Sequence, residues 1–447
     1  MERLLTSYRA IPTDATVRLA KPTSNLFRAR AKSTAKGLDT SGLTGVIAVD
    51  PQARTADVAG MCTYEELVAA TLPFGLSPLV VPQLKTITLG GAVTGLGIES
   101  ASFRNGLPHE SVLELDILTG TGEVLTASRN LRSDLFHAFP NSYGTLGYAV
   151  RLKIELEPVK PFVALKHVRF HRLIDLMAEM DRIVETGGYD GTPVDYLDGV
   201  VFSADESYLC LGMQTATAGP VSDYTGKDIY YRSIQHADGE QHDRLTIHDY
   251  LWRWDTDWFW CSRAFGAQHP TIRRFWPRRF RRSSVYWKLI GYDRRFDIAD
   301  RIEKRNGRPP LERVVQDIEV PIGRTAEFLD WFLTNVPIEP IWLCPLRLRD
   351  DAGWPLYPIA AHHTYVNVGF WSSVPAGAPG SPEGHTNRLI ERKVSELDGH
   401  KSLYSDAYYT PEEFDELYGG EAYKTVKKSY DPDSRLLDLY AKAVLRR

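Results

Sequence analysis

Cysteine is scarce and scattered: Cys62, Cys210, Cys261 and Cys344 are the four in 447 residues. None forms a CxxC pair, which excludes a zinc cluster or a thioredoxin-like centre and leaves buried thiols; no metal site is read. An excess of one charge is missing too. Basic side chains number 53 against 57 acidic, a net −4, so whole-chain charge gives no case for a nucleic-acid partner. No run of apolar residues reaches membrane-spanning length, and the start, MERLLTSYRAIPT, lacks a continuous apolar core. Neither a membrane span nor a signal peptide is predicted, and a cytoplasmic location is expected. There is no GxGxxG and no GK[ST], which excludes the Rossmann and Walker A ways of holding phosphate. What is present is ordinary globular composition, 43% hydrophobic and 25% charged, in a chain about three times a typical domain length.

Between residues 44 and 158 short β-branched stretches alternate with turn signals: GVIAVD, ADVAG, SPLVV, ESVLELDILTGTGEVL and GYAVRLKIELEP. They read as strands. TYEELVAATLPFG reads as a helix capped by Thr63 and ending at Gly75. In DILTGTGEVL, Gly120 and Gly122 offer the positive φ of a hairpin turn. Pro158 and Pro161 punctuate the last strand, so the expected domains are 1–158 and 159–447. The second mixes helical windows such as HRLIDLMAEMDRIVETGG with strands such as TYVNVGFW, an exposed loop at 374–385, and a helical tail opened by Thr410 and Pro411. The fold class is α+β, with an antiparallel sheet and helices in the second domain.

The densest glycine cluster, LGGAVTGLG at 89–97, lets backbone N–H groups approach a ligand closely and suits a pyrophosphate. A glycine-rich turn packed between strands is the equal alternative. NSYGTLGYAVRLKIELEP at 141–158 adds a second polar glycine loop, feeding a long strand.

The order of strand, helix, glycine loop, hairpin and GTLG loop resembles the flavoproteins with a PCMH-type (vanillyl-alcohol-oxidase-like) FAD domain. That family's P-x-x-x-x-x-T-x-G-G loop reads here from Pro82 to Gly91, with Thr88, Gly90 and Gly91 in place, and its G-x-L-G loop reads Gly144, Leu146, Gly147. The usual first phosphate loop is replaced by RLAKPTSNLFR at 18–28. The resemblance implies an FAD site from Lys21, Thr23, Ser24, Asn25, Pro82, Thr86, Thr88, Leu89, Gly90, Gly91, Gly95, Gly97, Ile98, Ser100, Ser102, Gly106, Gly144, Thr145 and Gly147. Ile98 stands where covalent members carry a flavin-bonding histidine, so the FAD is expected to be non-covalent.

GIESASFRNGLPHE, SYGTLGY, PIWLCPLRL at 340–348, YVNVGFW at 365–371 and LYSDAYYTPEEFDELYGG at 403–420 are similar to sterol Δ24-reductases. The N-terminal part, from RLAKPTSNLF through PQLKTITLGGAVTGLGIESASF, is similar to actinobacterial reductases that turn a mid-chain methylene on a phospholipid acyl chain into a 10-methyl branch. The resemblance implies an NADPH-consuming lipid double-bond reductase. Its alternatives are a sterol side-chain reductase, a flavin oxidase of alcohols or lactones, and a flavin-binding scaffold that recruits a lipid methyltransferase. Such a reductase delivers flavin hydride to one carbon and a proton to the other, which calls for an acid in a dry pocket. Tyr404, Asp406 and Tyr408 are the candidates from LYSDAYY, joined by His363 of the HH pair; a capping carboxylate or a satisfied strand histidine are the open alternatives. Ala407 stands where related sugar-lipid oxidases carry a lysine, which disfavours alcohol oxidation.

Residues 252–287 hold six of ten tryptophans: Trp252, Trp254, Trp258, Trp260, Trp276 and Trp287. IRRFWPRRFRR adds six arginines between Arg273 and Arg282. Interfacial aromatics with basic residues fit an anionic membrane surface, so segment 250–310 is expected to place the protein peripherally at the inner leaflet. A solvated basic face is the alternative.

Overall fold

A computed structural model describes the chain except at 22–26, 29–36, 297–300, 302–303, 306, 308 and 379, and describes 293–296 as backbone only. Two antiparallel sheets divide the described residues. The first holds β1 (Val46–Asp50), β2 (Thr55–Ala59), β3 (Leu76–Pro78), β4 (Val112–Leu118), β5 (Val124–Ser128) and β6 (Tyr148–Pro158). Its order is β1-β2-β6-β4-β5, with β3 on the far end of β6. Beyond Pro158 come β7 (Phe162–Phe170), a small hairpin of β8 (Gly188–Tyr189) and β9 (Thr192–Pro193), β10 (Tyr196–Ser203), β11 (Glu206–Thr215) and β12 (Glu240–Thr246). The last strands are β13 (Leu311–Pro321), β14 (Ile341–Leu346), β15 (Tyr365–Pro375) and β16 (His400–Lys401). The second sheet runs β12-β7-β11-β10-β14-β15-β13-β16. The molecule is α+β, as its sequence pattern predicts.

Local chemistry sets the element ends. Thr63 closes a capping box with Glu66 on the helix Tyr64–Thr71, and a short 3₁₀ turn carries the chain to Gly75 in the left-handed region. Thr410 makes the same box with Glu413, with Pro411 in the first turn. The hairpin between β4 and β5 differs from expectation in one glycine. Gly122 has φ 83°, but Gly120 is required for space, since a Cβ there would lie 2.0 Å from Asp431 Oδ1.

The second sheet is buried on both faces at its centre, and period-two alternation decides what each face does. Leu197, Val201, Leu343, Val366, Val368, Val314 and Ile318 pack with helices Leu173–Thr186 and Ile322–Asn335 in one core. The intervening Tyr196, Val200, Trp342 and Cys344 join the core shared with the first sheet. Asp198, Asp317, Glu319, Asn367 and Trp371 have the same parity and turn toward that junction.

Two expectations change. The tail beyond Pro411 returns to the first sheet's domain: Lys427 Nζ donates to the Thr145 carbonyl, and Val17 N–H donates to the Arg435 carbonyl. Of the six clustered tryptophans, Trp252, Trp254, Trp258 and Trp260 are at most 3% exposed. Trp254 stacks on Phe259 at 4.9 Å and Phe259 on Trp371 at 4.5 Å. These four rings are interior packing, whereas Trp276 and Trp287 are half-buried.

Glycine at 60 and 90 lets the helix Leu89–Gly95 seat on the first sheet, because a Cβ on Gly60 would come within 1.9 Å of the Ala149 carbonyl oxygen and one on Gly90 within 2.6 Å of the Gly60 oxygen. Gly60→Ala should lower the unfolding free energy by about 1–3 kcal/mol, as overpacking does. Urea unfolding checks this; an unchanged midpoint would remove the packing role.

Candidate functional site

The glycine loop 89–97 builds its site from the helix outward. Thr88 is the N-cap of Leu89–Gly95, and its Oγ1 accepts from Gly91 N–H at 3.2 Å and from Lys21 Nζ at 3.1 Å. Leu89 and Gly90 N–H groups donate to the carbonyls of Cys62 and Gly60. The chain then runs half-exposed from Thr94 to Ile98, between buried Val93 and buried Glu99. Leu96 sits at φ 62°, a strained setting for a branched side chain that surrounding structure must enforce. Gly97 lies between Pro82 and Pro108, each 3.2 Å from where a Cβ would stand.

The second loop is tied to the first through Tyr143, which sequence reasoning passed over. Tyr143 N–H donates to the Thr94 carbonyl at 2.9 Å and its hydroxyl to the Gly95 carbonyl at 2.7 Å. Asn141 and Tyr143 hold φ of 61° and 49°, and Gly144 and Gly147 hold 75° and 141°. Thr145 is buried and donates to the Ser142 carbonyl. Arg28 is buried with its guanidinium 4.5 Å over the Tyr143 ring and donates to the Leu403 carbonyl.

The cofactor residues expected from the sequence separate into two groups. Lys21, Thr88, Gly91, Gly95, Gly97 and Ile98 gather along the open stretch, with Pro82, Thr86, Leu89, Gly90, Gly144, Thr145 and Gly147 packed behind or beside it. Ser100, Ser102 and Gly106 are turned inward instead. Ser100 Oγ bonds Glu99 and the Tyr250 hydroxyl, Ser102 Oγ accepts from Glu99 N–H, and Gly106 leaves room for the Glu110 carboxylate. Ser100 and Ser102 are buried and bonded to protein groups. Thr23, Ser24 and Asn25 lie outside the described residues.

The candidate acids fare differently. Tyr404 is held at the domain junction: Phe27 and Arg28 N–H groups donate to its carbonyl at 2.8 and 3.3 Å, and the Phe27 ring meets it edge-on at 5.8 Å. Its hydroxyl accepts the Trp371 indole N–H at 2.9 Å and lies close enough to Asp317 to act on its ionisation. Asp406 is corrected to a surface role. Its side chain keeps 27% exposure and lies 3.2 Å from Arg446 Nε. Tyr408 packs against Gly384 under the guanidinium groups of Arg388 and Arg446. His363 is exposed in a turn before β15, bonded to the Ala361 carbonyl, so strand alternation does not apply to it.

What the sequence reading missed is a carboxyl pair on β13. Asp317 accepts from Asn367 Nδ2 at 3.3 Å, and burial pushes its pKa up to about 6 against the pull of its Asn367 and Tyr404 hydrogen bonds. Glu319, fully buried, accepts from Ser402 Oγ at 3.0 Å, and burial followed by Asp317 drives it well above the carboxylate range. The signal was available as QDIEVP, two acids at i, i+2 on a strand that is apolar between them.

The FAD binding domain pattern matches residues 14–128. Over 427 residues, 90% of this chain and 76% of the relative, the chain is 24% identical to a Delta(24)-sterol reductase of Rattus norvegicus. A Delta(24)-sterol reductase of Arabidopsis thaliana is 24% identical over 91% of the chain and 76% of its own. Cytokinin dehydrogenase 2 of Oryza sativa subsp. japonica is 29% identical over 35% of the chain and 28% of its own length.

The residues fit a flavin nucleotide. The Thr94–Ile98 backbone lies open between buried flanks, Lys21 brings a cation to its mouth, and Tyr143 locks the two loops together. Ile98 offers no nucleophile to the ring, so acid precipitation should release all the flavin into the supernatant, read by its absorbance; a yellow pellet would overturn the non-covalent expectation. With its matched domain and this loop pair, the chain carries an FAD binding domain and is an FAD-linked oxidoreductase.

Proposed function

We propose that the protein reduces an isolated carbon–carbon double bond of a lipid, that a methylene-branched phospholipid acyl chain taken to its 10-methyl form is the substrate, and that NADPH is the electron donor. The observation that carries this reading is the position of Asp317, held by Asn367 beside Tyr404 on the sheet face turned toward the junction with the first sheet. Bound FAD, once reduced, supplies a hydride to one carbon of the double bond. The other carbon needs a proton, and an isolated alkene has no carbonyl through which a weak acid can act. Asp317 supplies it, directly or through the Tyr404 hydroxyl, whose own proton Asp317 replaces. One proton and one hydride together saturate the bond. Phe27, Trp258 and Trp371 wall the approach with aromatic faces, Phe27 stacking on Trp258 at 5.6 Å. Such faces exclude water and favour developing positive charge at the branched carbon.

Sterol side-chain reduction is the second reading, and the similarity to Delta(24)-sterol reductases over nine-tenths of the chain favours it. It uses the same acid and differs in the lipid that is bound.

Lipid extracts from a host that makes the methylene intermediate should contain methyl-branched chains when the protein is present; methylene chains that persist would overturn the substrate, and reduction of a Δ24 sterol would install the second reading. Asp317→Asn should lower turnover about 10²- to 10⁴-fold with FAD content unchanged, and full activity in that variant would remove the acid. Because the protonated carboxyl is the active form, turnover at saturating donor should decline as pH rises through about 6. A pH profile with no alkaline limb there would contradict the assignment.

A further inference from the structure

The segment that buries four tryptophans also projects a small apolar tip. From His269 to Phe280 all residues except Arg273 and Trp276 are exposed, across the helix Pro270–Phe275 and the turn Arg278–Phe280. Ile272, Phe275 and Phe280 are 43%, 78% and 42% exposed. Large apolar side chains side by side in water mark an interaction site. Arg274, Arg278 and Arg279 stand among them, the Arg279 guanidinium 4.9 Å over the Phe280 ring. Among the described residues Arg278 has one ion partner, the distant Asp223 at 4.0 Å. Between residues 258 and 292 there are eight basic side chains and no acidic one.

The tip is anchored from beneath. Arg273 grips Asp257 at 2.7 and 3.2 Å and the Asp228 carbonyl at 2.8 Å. Arg281 donates to the Gly226 carbonyl, and Trp276 Nε1 to the Phe280 carbonyl. Folding therefore uses Arg273, Arg281 and Trp276, and leaves the outer residues free for a partner. Three apolar side chains on a projecting turn are far less than the roughly 800 Å² per side of a stable protein interface. They match the shallow insertion by which aromatic and basic residues enter an anionic lipid surface.

We propose that Ile272, Phe275 and Phe280, ringed by Arg274, Arg278 and Arg279, form a docking tip that inserts among the headgroups of an anionic lipid leaflet. The inference stands on this patch and not on which bond the protein reduces. The same segment also reaches the candidate site, since Trp258 and Trp287 contact Phe27 at 5.6 and 5.1 Å, and Phe27 contacts Tyr404.

Co-sedimentation of the FAD-loaded full chain with vesicles of equal parts phosphatidylglycerol and phosphatidylcholine tests it, with pure phosphatidylcholine as comparison. Wild type should sediment with the mixed vesicles and at least tenfold less with the neutral ones, and high salt should release it. Phe275→Ser with Phe280→Ser, and separately Arg274→Gln with Arg279→Gln, should each cut mixed-vesicle binding about tenfold or more. Flavin content and near-ultraviolet dichroism should stay unchanged, which separates docking from misfolding. Turnover on detergent-dispersed lipid, where it occurs, should also be unaffected, so failure here and failure of the chemistry remain distinct. Equal binding to both vesicle types, or variants that bind like wild type, would overturn the proposal. A concentration-dependent dimer abolished by the phenylalanine changes would assign the tip to a second copy of the chain instead.

Discussion

Arg253 is a guanidinium with no route to water, and the junction between the two sheets is built around it. Asp198 lies 2.8 Å away and Glu99 3.5 Å, while the Tyr250 ring covers the cation at 3.9 Å. The indole N–H groups of Trp254 and Trp342 converge on the same Asp198 oxygen at 3.3 and 3.2 Å. Glu99 belongs to the cofactor loop, Asp198 to β10 and Arg253 to the aromatic segment, so one buried ion fixes three parts of the chain relative to each other. Leaving such a charge unpaired costs on the order of 3–5 kcal/mol. The strained Leu96 backbone lies three residues from Glu99.

Two aspartates show how the environment selects among equal side chains. Asp406 is one of the three candidates from LYSDAYY, but its carboxylate pairs with Arg446 and keeps contact with solvent. Asp317 lies between Tyr404, Asn367 and the neighbouring Glu319, with no cation paired to it among the described residues, and the cost of burying charge decides its state. The two carboxyl groups on β13 also disfavour each other's ionisation, so their protons belong to the pair as much as to either residue. An acid that must be protonated near neutral pH is more readily obtained by this route than from an exposed loop.

The sequence made the fold class and the loops legible because both depend on local rules. Capping at Thr63 and Thr410, the β-branched alternation of β6, and the glycine loops are all written within ten residues of where they act. Tertiary placement was not legible. Whether Trp258 faces lipid or Phe27, whether Ser100 faces a cofactor or Tyr250, and whether His363 enters a strand all depend on residues far away in the chain. Asp317 and Glu319 were readable as inward acids on a strand, but a resemblance centred on LYSDAYY drew attention to its own carboxylate.

The charge of the chain acquires meaning only once these placements are known. Residues 258–292 contribute eight positive charges and the remainder of the chain −12, so near-neutrality conceals a segregation. The positive charges do two different jobs. Arg273 and Arg282 turn inward to Asp257 and Glu65, where they bind the segment to the body. Arg274 and Arg279 turn outward beside Phe275 and Phe280, where no acid of the segment can neutralise them. Uniform positive charge would have made the whole protein adhesive to any polyanion; an acidic body repels such partners and confines attraction to one small tip. That confinement also fixes orientation, because the attractive end and the aromatic wall of the candidate site are parts of the same packed segment.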